Sequence, residues 1–168
     1  MEAVYYASTS SPIGTIWVAS DKAGVCLVSF KGTDREFLKE LSRAGFQQAR
    51  ADREFNRGIL KEIDAYFAGK LTRFSSPLHV QGSSFDMQVW HVLQRIPLGE
   101  TRSYEDIAQA IGNPRACRAV GGANGRNPIP LLIPCHRVIR KDGGLGGFAC
   151  GTEIKQWLLR FEQRVARS

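Results

Sequence analysis

Cysteine and histidine are scarce in this chain, and they are not spaced as metal ligands. The 168 residues include four cysteines and three histidines. No two cysteines form a Cys-x-x-Cys pair, and His79 and His91 lie far from all four in the sequence. Zinc sites use closely spaced cysteines and histidines. The sequence therefore predicts no metal site, and we expect no cofactor of any kind.

The chain also lacks long apolar runs and a recognisable export signal. No stretch approaches the ~18 consecutive apolar residues that a membrane span needs. The first residues, Met1-Glu2-Ala3-Val4-Tyr5, contain neither the basic nor the apolar segment of a signal peptide. We therefore expect a cytoplasmic (or nuclear) protein with no membrane partner, in which the cysteines remain reduced.

Acidic residues are absent from residues 107–141, where six basic residues lie: Arg115, Arg118, Arg126, Arg137, Arg140 and Lys141. The net charge is +7 and is unevenly distributed. Residues 1–84 hold 11 basic and 9 acidic residues, a net +2, whereas residues 85–168 hold 12 and 7, a net +5. Such asymmetry is typical of proteins that bind nucleic acid or an anionic membrane.

Inside this basic stretch lies the segment Ile133-Pro134-Cys135-His136-Arg137-Val138. A reactive cysteine reacts as the thiolate, and a neighbouring imidazole or cation lowers the pKa of a thiol. His136 and Arg137 offer both. A lone cysteine is more often a small buried apolar residue, and adjacent side chains seldom face each other, so a water bridge between Cys135 and His136 is required if they do not touch.

The residues around this segment favour a reactive cysteine in a fixed loop. Three prolines precede or join it, at positions 128, 130 and 134, and four glycines follow between Gly143 and Gly147. Prolines stiffen the approach, and glycines let the backbone come close to a ligand. A turn-rich hairpin explains the glycines equally well.

The first half of the chain predicts three antiparallel strands followed by two helices. The β-branched and aromatic strand segments are Val4–Tyr6, Thr15–Ala19 and Val25–Phe30. A cap at Thr33 predicts a helix to about Arg43, and helical spacing predicts a second helix over about Arg53–Ala68. The Ser- and Gly-rich residues 75–84 indicate a linker, which gives domains at residues 1–82 and 83–168.

The second half predicts a helical domain with a helix-turn-helix. An apolar stripe over Phe85–Ile96 forms one helix, and the capping box Ser103–Asp106 opens a short helix that ends at Gly112. Asn113 as N-cap and Pro114 as first helical residue then predict a second helix to about Asn124.

This second helix is poor in side chains that read bases. Helices that read the major groove present several Arg, Asn or Gln side chains to base edges. Here small residues dominate, and Arg118 is the long basic side chain near the middle. Such a helix suits close approach to a groove with a single wedge, or simply close packing against another helix.

The motifs of the second half resemble those of the O6-alkylguanine-DNA alkyltransferases. Beyond Pro134–Val138, the resemblance rests on these segments: Phe85–Trp90, Ile96–Thr101, Ser103-Tyr104, Arg118–Gly121, Asn127-Pro128, Gly146–Phe148 and Lys155–Leu159. It is specific over about residues 83–162. Ser11–Gly14 and Tyr66–Gly69 resemble the smaller domain of that family more loosely. The implied fold is α+β, with an N-terminal antiparallel-sheet domain with helices (ribonuclease H-like) and a mainly helical, winged-helix-like C-terminal domain.

The resemblance implies that an alkyl group passes irreversibly from O6-alkylguanine in double-stranded DNA to Cys135, once per molecule. It leaves open whether O4-alkylthymine is also a substrate. His136 would act as base through a water, Glu162 would hold the imidazole, Tyr104 would donate to the guanine, and Asn127 would brace the active loop.

The resemblance further implies a monomer that binds DNA through the minor groove and flips the damaged base out of the helix. Arg118 would fill the space left in the stack. The remaining residues implied to contact the base or the DNA, or to hold the site together, are Val138, Phe148, Ala149, Lys155, Arg115, Ala119 and Arg126. Phe148 and Ala149 depart from the tyrosine and serine common in the family, which bears on the range of alkyl groups accepted.

Two other functions compete from the residues alone. A helix-turn-helix regulator would use Cys135 only structurally, but residues 115–124 are poor in base-reading side chains. A cysteine hydrolase would use Cys135, His136 and Glu162 to form a thioester and turn over, but this explains neither the acid-free basic stretch nor the paired helices.

Overall fold

The computed structural model describes residues 3–30 and 32–168, and the chain divides into two compact units, Met1–Val80 and Gln81–Ser168. The first unit contains β1 (Val4–Ser11), β2 (Gly14–Asp21), β3 (Gly24–Ser29), α1 (Asp34–Arg43), β4 (Ala49–Ala51) and α2 (Arg57–Phe67). The second contains α3 (Ser84–Leu93), β5 (Arg102–Ser103), α4 (Tyr104–Ala110), α5 (Cys117–Gly125), a 3₁₀ helix (Cys135–Arg137), β6 (Val138–Ile139) and α6 (Thr152–Ala166).

The first unit is built on a four-stranded sheet in the order β3-β2-β1-β4. The predicted antiparallel meander is confirmed, since β1 pairs with β2 and β2 with β3 in antiparallel register. Helix α1 buries Phe37 and Leu41 against a core that includes Val4 and Leu27. The short strand β4 runs parallel to β1 and was not predicted, because Ala-Arg-Ala carries no strand pattern.

Helix α2 begins at Arg57, so the predicted start at Arg53 is wrong. The side chain of Asp52 accepts a hydrogen bond from the Phe55 N–H, which closes a turn before the helix. Asn56 then donates from its side chain to the backbone oxygens of Tyr5 and Asp52. These local bonds offer the backbone an alternative to helix, as Asn and Asp side chains commonly do.

In the second unit, side-chain caps set the start of α3 and α4. Ser83 accepts from the N–H of Asp86 at the start of α3. The predicted capping box is confirmed at α4, where Ser103 and Asp106 each accept from the other's backbone N–H at 3.0 and 2.8 Å.

Helix α5 begins at Cys117, so the predicted cap at Asn113 and first helical residue at Pro114 are wrong. Residues 113–116 form a separate turn that the Ala116 N–H closes on the Asn113 oxygen at 3.0 Å. Proline favours such a turn because its φ is already fixed. The first α-helical bond then runs from Val120 to Ala116, and α4 and α5 still form the predicted helix-turn-helix pair.

The C-terminal helix α6 buries two charged residues, Lys155 and Glu162, on the same face as Leu158. A seven-residue interval returns to the same side of a helix after two turns, so both charged groups point into the second unit. Within residues 3–30 and 32–168, no helix has both the length and the apolar character to cross a membrane.

We expect Gly24→Ala to destabilise the first unit by about 1–3 kcal/mol more than Gly14→Ala, because overpacking adds to backbone strain. Both glycines have positive φ, at +151° and +109°. A Cβ at Gly24 would lie 2.5 Å from the backbone oxygen of Pro77, whereas a Cβ at Gly14 would meet nothing within 4 Å. Urea denaturation gives the free energy of unfolding of each variant, and hydrogen exchange of the β2 and β3 amides assigns the loss to the first unit. Equal losses of stability in the two variants would contradict the prediction.

Candidate active site

The cysteine segment is held by a braced, non-helical approach, as predicted from its prolines. Cys135 opens the 3₁₀ helix and is buried. The side chain of Asn127 donates to the Ile133 oxygen at 2.8 Å and accepts from the Ile129 N–H at 3.0 Å. Leu131, inside this turn, has φ +77°, a strained value for a leucine that persists only where the surroundings enforce it.

Behind the cysteine, Glu162 joins His136 and Arg137 in one buried cluster. His136 Nε2 lies 2.8 Å from Glu162 Oε2. Arg137 donates to both carboxylate oxygens, at 2.8 and 2.9 Å, and to the Ile96 backbone oxygen at 2.6 Å. All three side chains are buried, with Glu162 1% exposed. The cluster therefore fixes the 3₁₀ helix to α6 and to the turn that follows α3.

The electrostatics of the cluster define the tautomer of His136. Burial alone would raise the pKa of Glu162, but the contacts with His136 and Arg137 hold it well below its usual range. Burial lowers the pKa of His136, while Glu162 opposes that shift. A carboxylate only accepts, so Nε2 carries the proton. Nδ1 is then a bare acceptor, buried and without a partner among the described residues.

The thiol of Cys135 is not activated in the free protein. Burial raises its pKa to about 11, against a hydrogen bond from Asn127 and the positive charge of Lys155. The expectation of a lowered thiol pKa is therefore wrong for this state, although a hydrogen bond from the His136 backbone acts in the lowering direction. Burial penalises the thiolate, and the charge of Arg137 is directed to Glu162 instead. The proton must be removed during the reaction.

Lys155 links the strand after the cysteine to the glycine-rich loop. Its Nζ donates to the backbone oxygens of Val138 at 2.6 Å and Gly147 at 3.3 Å. Burial lowers the pKa of Lys155 to about 8, and charge on Cys135 opposes that shift. Lys155 therefore supplies structure to the loop and a positive potential to the sulfur.

A cavity of about 370 Å³ opens beside Cys135. This volume lies within the ~300–1,000 Å³ range of small-molecule sites. Its lining comes from α4, α5, the braced turn and the glycine-rich loop: Tyr104, Gly121, Asn124, Gly125, Asn127, Pro130, Cys135, Gly147, Phe148, Ala149 and Cys150. The mixture of apolar walls and a few polar groups suits a flat heterocycle.

Tyr104 and Gly146 approach each other closely at this cavity. A Cβ at Gly146 would lie 2.8 Å from the Tyr104 hydroxyl oxygen, and Gly146 has φ +70°. Burial raises the pKa of Tyr104, and the charge of Cys135 acts in the same direction. The phenol is thus a protonated donor whose position depends on the missing side chain at Gly146.

The basic residues of the helix-turn-helix lie outside the cavity. Arg118 and Ala119 are exposed on α5, and Arg115 is exposed in the turn before it. Arg126, at the end of α5, donates to the two carboxylate oxygens of Asp86 at 2.6 and 3.3 Å. This pair leaves Arg126 more than half exposed but ties its guanidinium to α3.

The structure thus gathers Cys135, His136, Glu162, Tyr104, Asn127, Val138, Phe148, Ala149 and Lys155 at one site, and leaves Arg115, Arg118, Ala119 and Arg126 outside it. Sequence reasoning did not identify Asn124 and Cys150 as cavity residues, or Arg137 as a partner of Glu162. The sequence signal for Asn124 is its position three residues before Asn127, in the segment that leads to the cysteine. Among the described residues, no group of three or more His, Cys, Asp or Glu side chains is placed to hold a metal ion.

Two family models match the chain, one for each unit. Residues 84–164 match the DNA binding domain of 6-O-methylguanine DNA methyltransferase, and residues 4–80 match its ribonuclease-like domain. The match to the second model accords with the sheet and helices of the first unit.

Curated relatives and solved structures resemble the chain over nearly its full length. The methylated-DNA--protein-cysteine methyltransferase of Methanosarcina acetivorans is 44% identical over 95% of this chain and 98% of its own. The constitutive enzyme of that name from Bacillus subtilis is 40% identical over 95% of each chain. The crystal structure of Mycobacterium tuberculosis OGT in complex with DNA has a TM-score of 0.83 and 39% identity, and the match covers 96% of this chain and 94% of that one.

We expect Glu162→Gln to destabilise the protein by about 3–5 kcal/mol at pH 7, because Arg137 stays buried without its counter-charge. The folded pKa of Glu162 is lowered. Its stabilisation is therefore complete above the unfolded pKa of about 4.3 and is lost as pH falls through the folded value. Urea denaturation from pH 7 down to pH 3 should show the gap between wild type and variant constant above about pH 5 and narrowing below about pH 4.

Glu153→Gln is the matched control for this change, since Glu153 is exposed in the first turn of the same helix. Its loss should stay within about 1 kcal/mol, the size of a helix-dipole effect. A gap for Glu162→Gln no larger than that of Glu153→Gln would contradict the role assigned to the buried cluster.

Proposed function

The chain belongs to the 6-O-methylguanine DNA methyltransferase family, and we propose that Cys135 is the residue that receives the alkyl group. The protein repairs DNA by direct transfer of an alkyl group from O6 of guanine to one of its own cysteines. The observation that carries the assignment to Cys135 is its position in the cavity wall, directly before the buried His136–Glu162 pair.

The proton of the thiol passes to His136 through a bridging water. Nδ1 of His136 is a buried acceptor without a partner among the described residues. When Nδ1 gains the proton, Glu162 stabilises the imidazolium that forms. This is the logic of a nucleophile, a base and an orienting acid. A neutral thiol and a neutral imidazole at rest suit a protein that must keep its one nucleophile unreacted until a substrate arrives.

The transfer itself is a displacement at the alkyl carbon. Cys135 Sγ forms a bond to that carbon as the carbon–O6 bond breaks, and the electron pair moves onto the guanine. Tyr104 donates its hydroxyl hydrogen bond to the base, and the proton held by His136 balances the charge. Lys155 favours the thiolate through its positive potential, and Asn127 holds the braced turn in place.

The base edge is held by backbone groups rather than by a set of polar side chains. Val138 follows the 3₁₀ helix, and Phe148 and Ala149 line the cavity from the glycine-rich loop. Backbone groups do not depend on the tyrosine and serine that Phe148 and Ala149 replace. The product at Cys135 is a thioether, which water does not hydrolyse as it would a thioester, so each molecule acts once.

Double-stranded DNA binds at the helix-turn-helix, through the minor groove. Access requires base flipping, because the O6 group lies within the duplex. Arg118 is exposed on a helix of small residues, which supports its entry into the stack while Ala119 allows close approach. Arg115 contacts the phosphates. Arg126, tied to Asp86, presents a positioned charge.

The protein acts as a monomer in the cytoplasm, in the compartment that holds the DNA. One copy contains the nucleophile, its base and the cavity, which supports a function without a second subunit. We propose O6-alkylguanine as the substrate of the cavity. O4-alkylthymine carries its alkyl group on an equivalent oxygen of a smaller base, and its repair stays open.

Intact wild-type protein should gain one methyl group, ~14 Da, on incubation with O6-methylguanine duplex, because a thioether accumulates rather than turning over. Cys135→Ser should gain nothing. Cys150→Ser is the matched control, since Cys150 lines the same cavity, and it should still gain one methyl. Mass spectrometry of the intact protein and its peptides measures this; several turnovers per protein, or methyl on Cys150, would overturn the assignment.

Arg118→Ala should slow repair of duplex DNA by about 10-fold or more, because extruding a base costs a few kcal/mol that the wedge offsets. Transfer from free O6-benzylguanine needs no extrusion and should change little. Arg115→Ala should weaken DNA binding, but it should not slow alkyl transfer from DNA that is already bound. Equal slowing of Arg118→Ala on both substrates would make Arg118 a structural residue.

A further inference from the structure

The side-chain oxygen of Asn124 is a buried acceptor in the cavity wall that the mechanism above does not use. Asn124 is 6% exposed and lines the cavity next to Cys135. Its Nδ2 faces the Cys135 backbone oxygen at 3.4 Å. Because that oxygen accepts only, the amide nitrogen is fixed on this side. Oδ1 has no hydrogen-bond partner among the described residues.

The neighbouring asparagine is a useful comparison, because both of its side-chain polar atoms have backbone partners. Asn127 also lines the cavity, and both of its polar atoms are paired, with Ile133 and with Ile129. Asn124 has one polar atom paired and one without a partner among these residues. A buried acceptor without a donor is costly, so a residue kept only for structure would favour an apolar side chain of the same shape.

The backbone that carries Asn124 is anchored beside the cavity. It lies in the last turn of α5, and Trp90 anchors that turn by donating from its indole nitrogen to the Ala123 oxygen at 2.8 Å. Oδ1 is covered in the free protein, so a donor reaches it only when the cavity wall yields to an incoming base. Gly147, in the glycine-rich loop, belongs to this wall.

We propose that Asn124 recognises a hydroxyl group on the transferred alkyl chain, which makes O6-(2-hydroxyethyl)guanine a favoured substrate over an apolar alkylguanine of equal size. The inference rests on the proposed function. The hydroxyl belongs to the part of the alkyl group beyond the reacting carbon. That part lies next to Cys135 and close to Asn124, whose side chain donates to the Cys135 backbone oxygen.

The chemistry of the wall selects a hydroxyl over other groups. In the cavity lining, Pro130, Phe148 and Ala149 present apolar surface, which accepts a short carbon chain. Oδ1 accepts a hydrogen bond but gives none, so it favours an alcohol, which donates, and disfavours a carboxylate, which does not. A propyl group of the same heavy-atom count would cover Oδ1 and give it no donor.

The reaction with this substrate balances as it does for methyl. Cys135 Sγ bonds to the first carbon of the hydroxyethyl group, and the carbon–O6 bond breaks. The thiol proton, first taken up by His136, ends on the guanine, which stays in the DNA. The hydroxyl is retained and forms its hydrogen bond with Asn124 throughout, so no further reactant is needed.

The test compares single-turnover transfer rates from duplexes that carry O6-methyl-, O6-(2-hydroxyethyl)- or O6-propylguanine. In wild type the ratio of hydroxyethyl to propyl rates should exceed the ratio in Asn124→Leu by ~10-fold, since a site that pairs a polar group discriminates against the analogue that lacks it. Because the ratio is compared between wild type and variant, the different intrinsic reactivities of the hydroxyethyl and propyl groups cancel. Cys150→Ala, which alters the same cavity without removing Oδ1, should leave the ratio at its wild-type value.

Transfer of the methyl group distinguishes failure of the role of Asn124 from failure of the proposed function. Methyl transfer by wild type with an unchanged hydroxyethyl-to-propyl ratio in Asn124→Leu would overturn the role of Asn124 and leave the proposed function intact. Equal slowing of all three substrates in Asn124→Leu would also overturn it, because Asn124 would then position the cysteine loop or its water. No transfer of methyl by folded wild type would overturn the proposed function itself.

Discussion

The buried carboxylate of Glu162 is the interaction on which the rest of the site depends. One side chain from α6 accepts from His136 and from Arg137, and so fixes both residues that follow the cysteine. Three charged or chargeable groups share a volume from which water is excluded, and the cost of burying them is met only while all the hydrogen bonds are made. The same geometry that assigns the proton of the imidazole also ties the 3₁₀ helix to α6.

This arrangement separates storage of the nucleophile from its use. Burial keeps the Cys135 thiol neutral, with a pKa of about 11, so stray electrophiles meet a poor nucleophile. A thiol that reacts only once gains from such protection, whereas a thiol that turns over would gain from a permanently lowered pKa. Residues that favour the thiolate, among them Lys155, act as the proton leaves.

Sequence alone predicted the features that are set by local chemistry. The meander, the capping box at Ser103 and the stiff approach to Cys135 follow from turn residues, caps and prolines. The starts of α2 and α5 were misplaced, because Asp52 and Asn113 open turns that sequence spacing does not distinguish from helix caps. The partnership of Arg137 with Glu162 joins residues 25 positions apart and depends on how α6 packs, so no local pattern contains it. The thiol pKa was predicted in the wrong direction, since adjacency in sequence does not reveal burial.

The close approach of Tyr104 and Gly146 bears on how such a protein can change over evolutionary time. The hydroxyl of one occupies the space that any side chain on the other would fill, 2.8 Å from a would-be Cβ. A side chain at 146 would force the Tyr104 ring to shift, and a smaller residue at 104 would remove the phenol. The two positions therefore constrain each other, and a substitution of the glycine displaces the hydrogen-bond donor of the cavity unless position 104 adjusts with it.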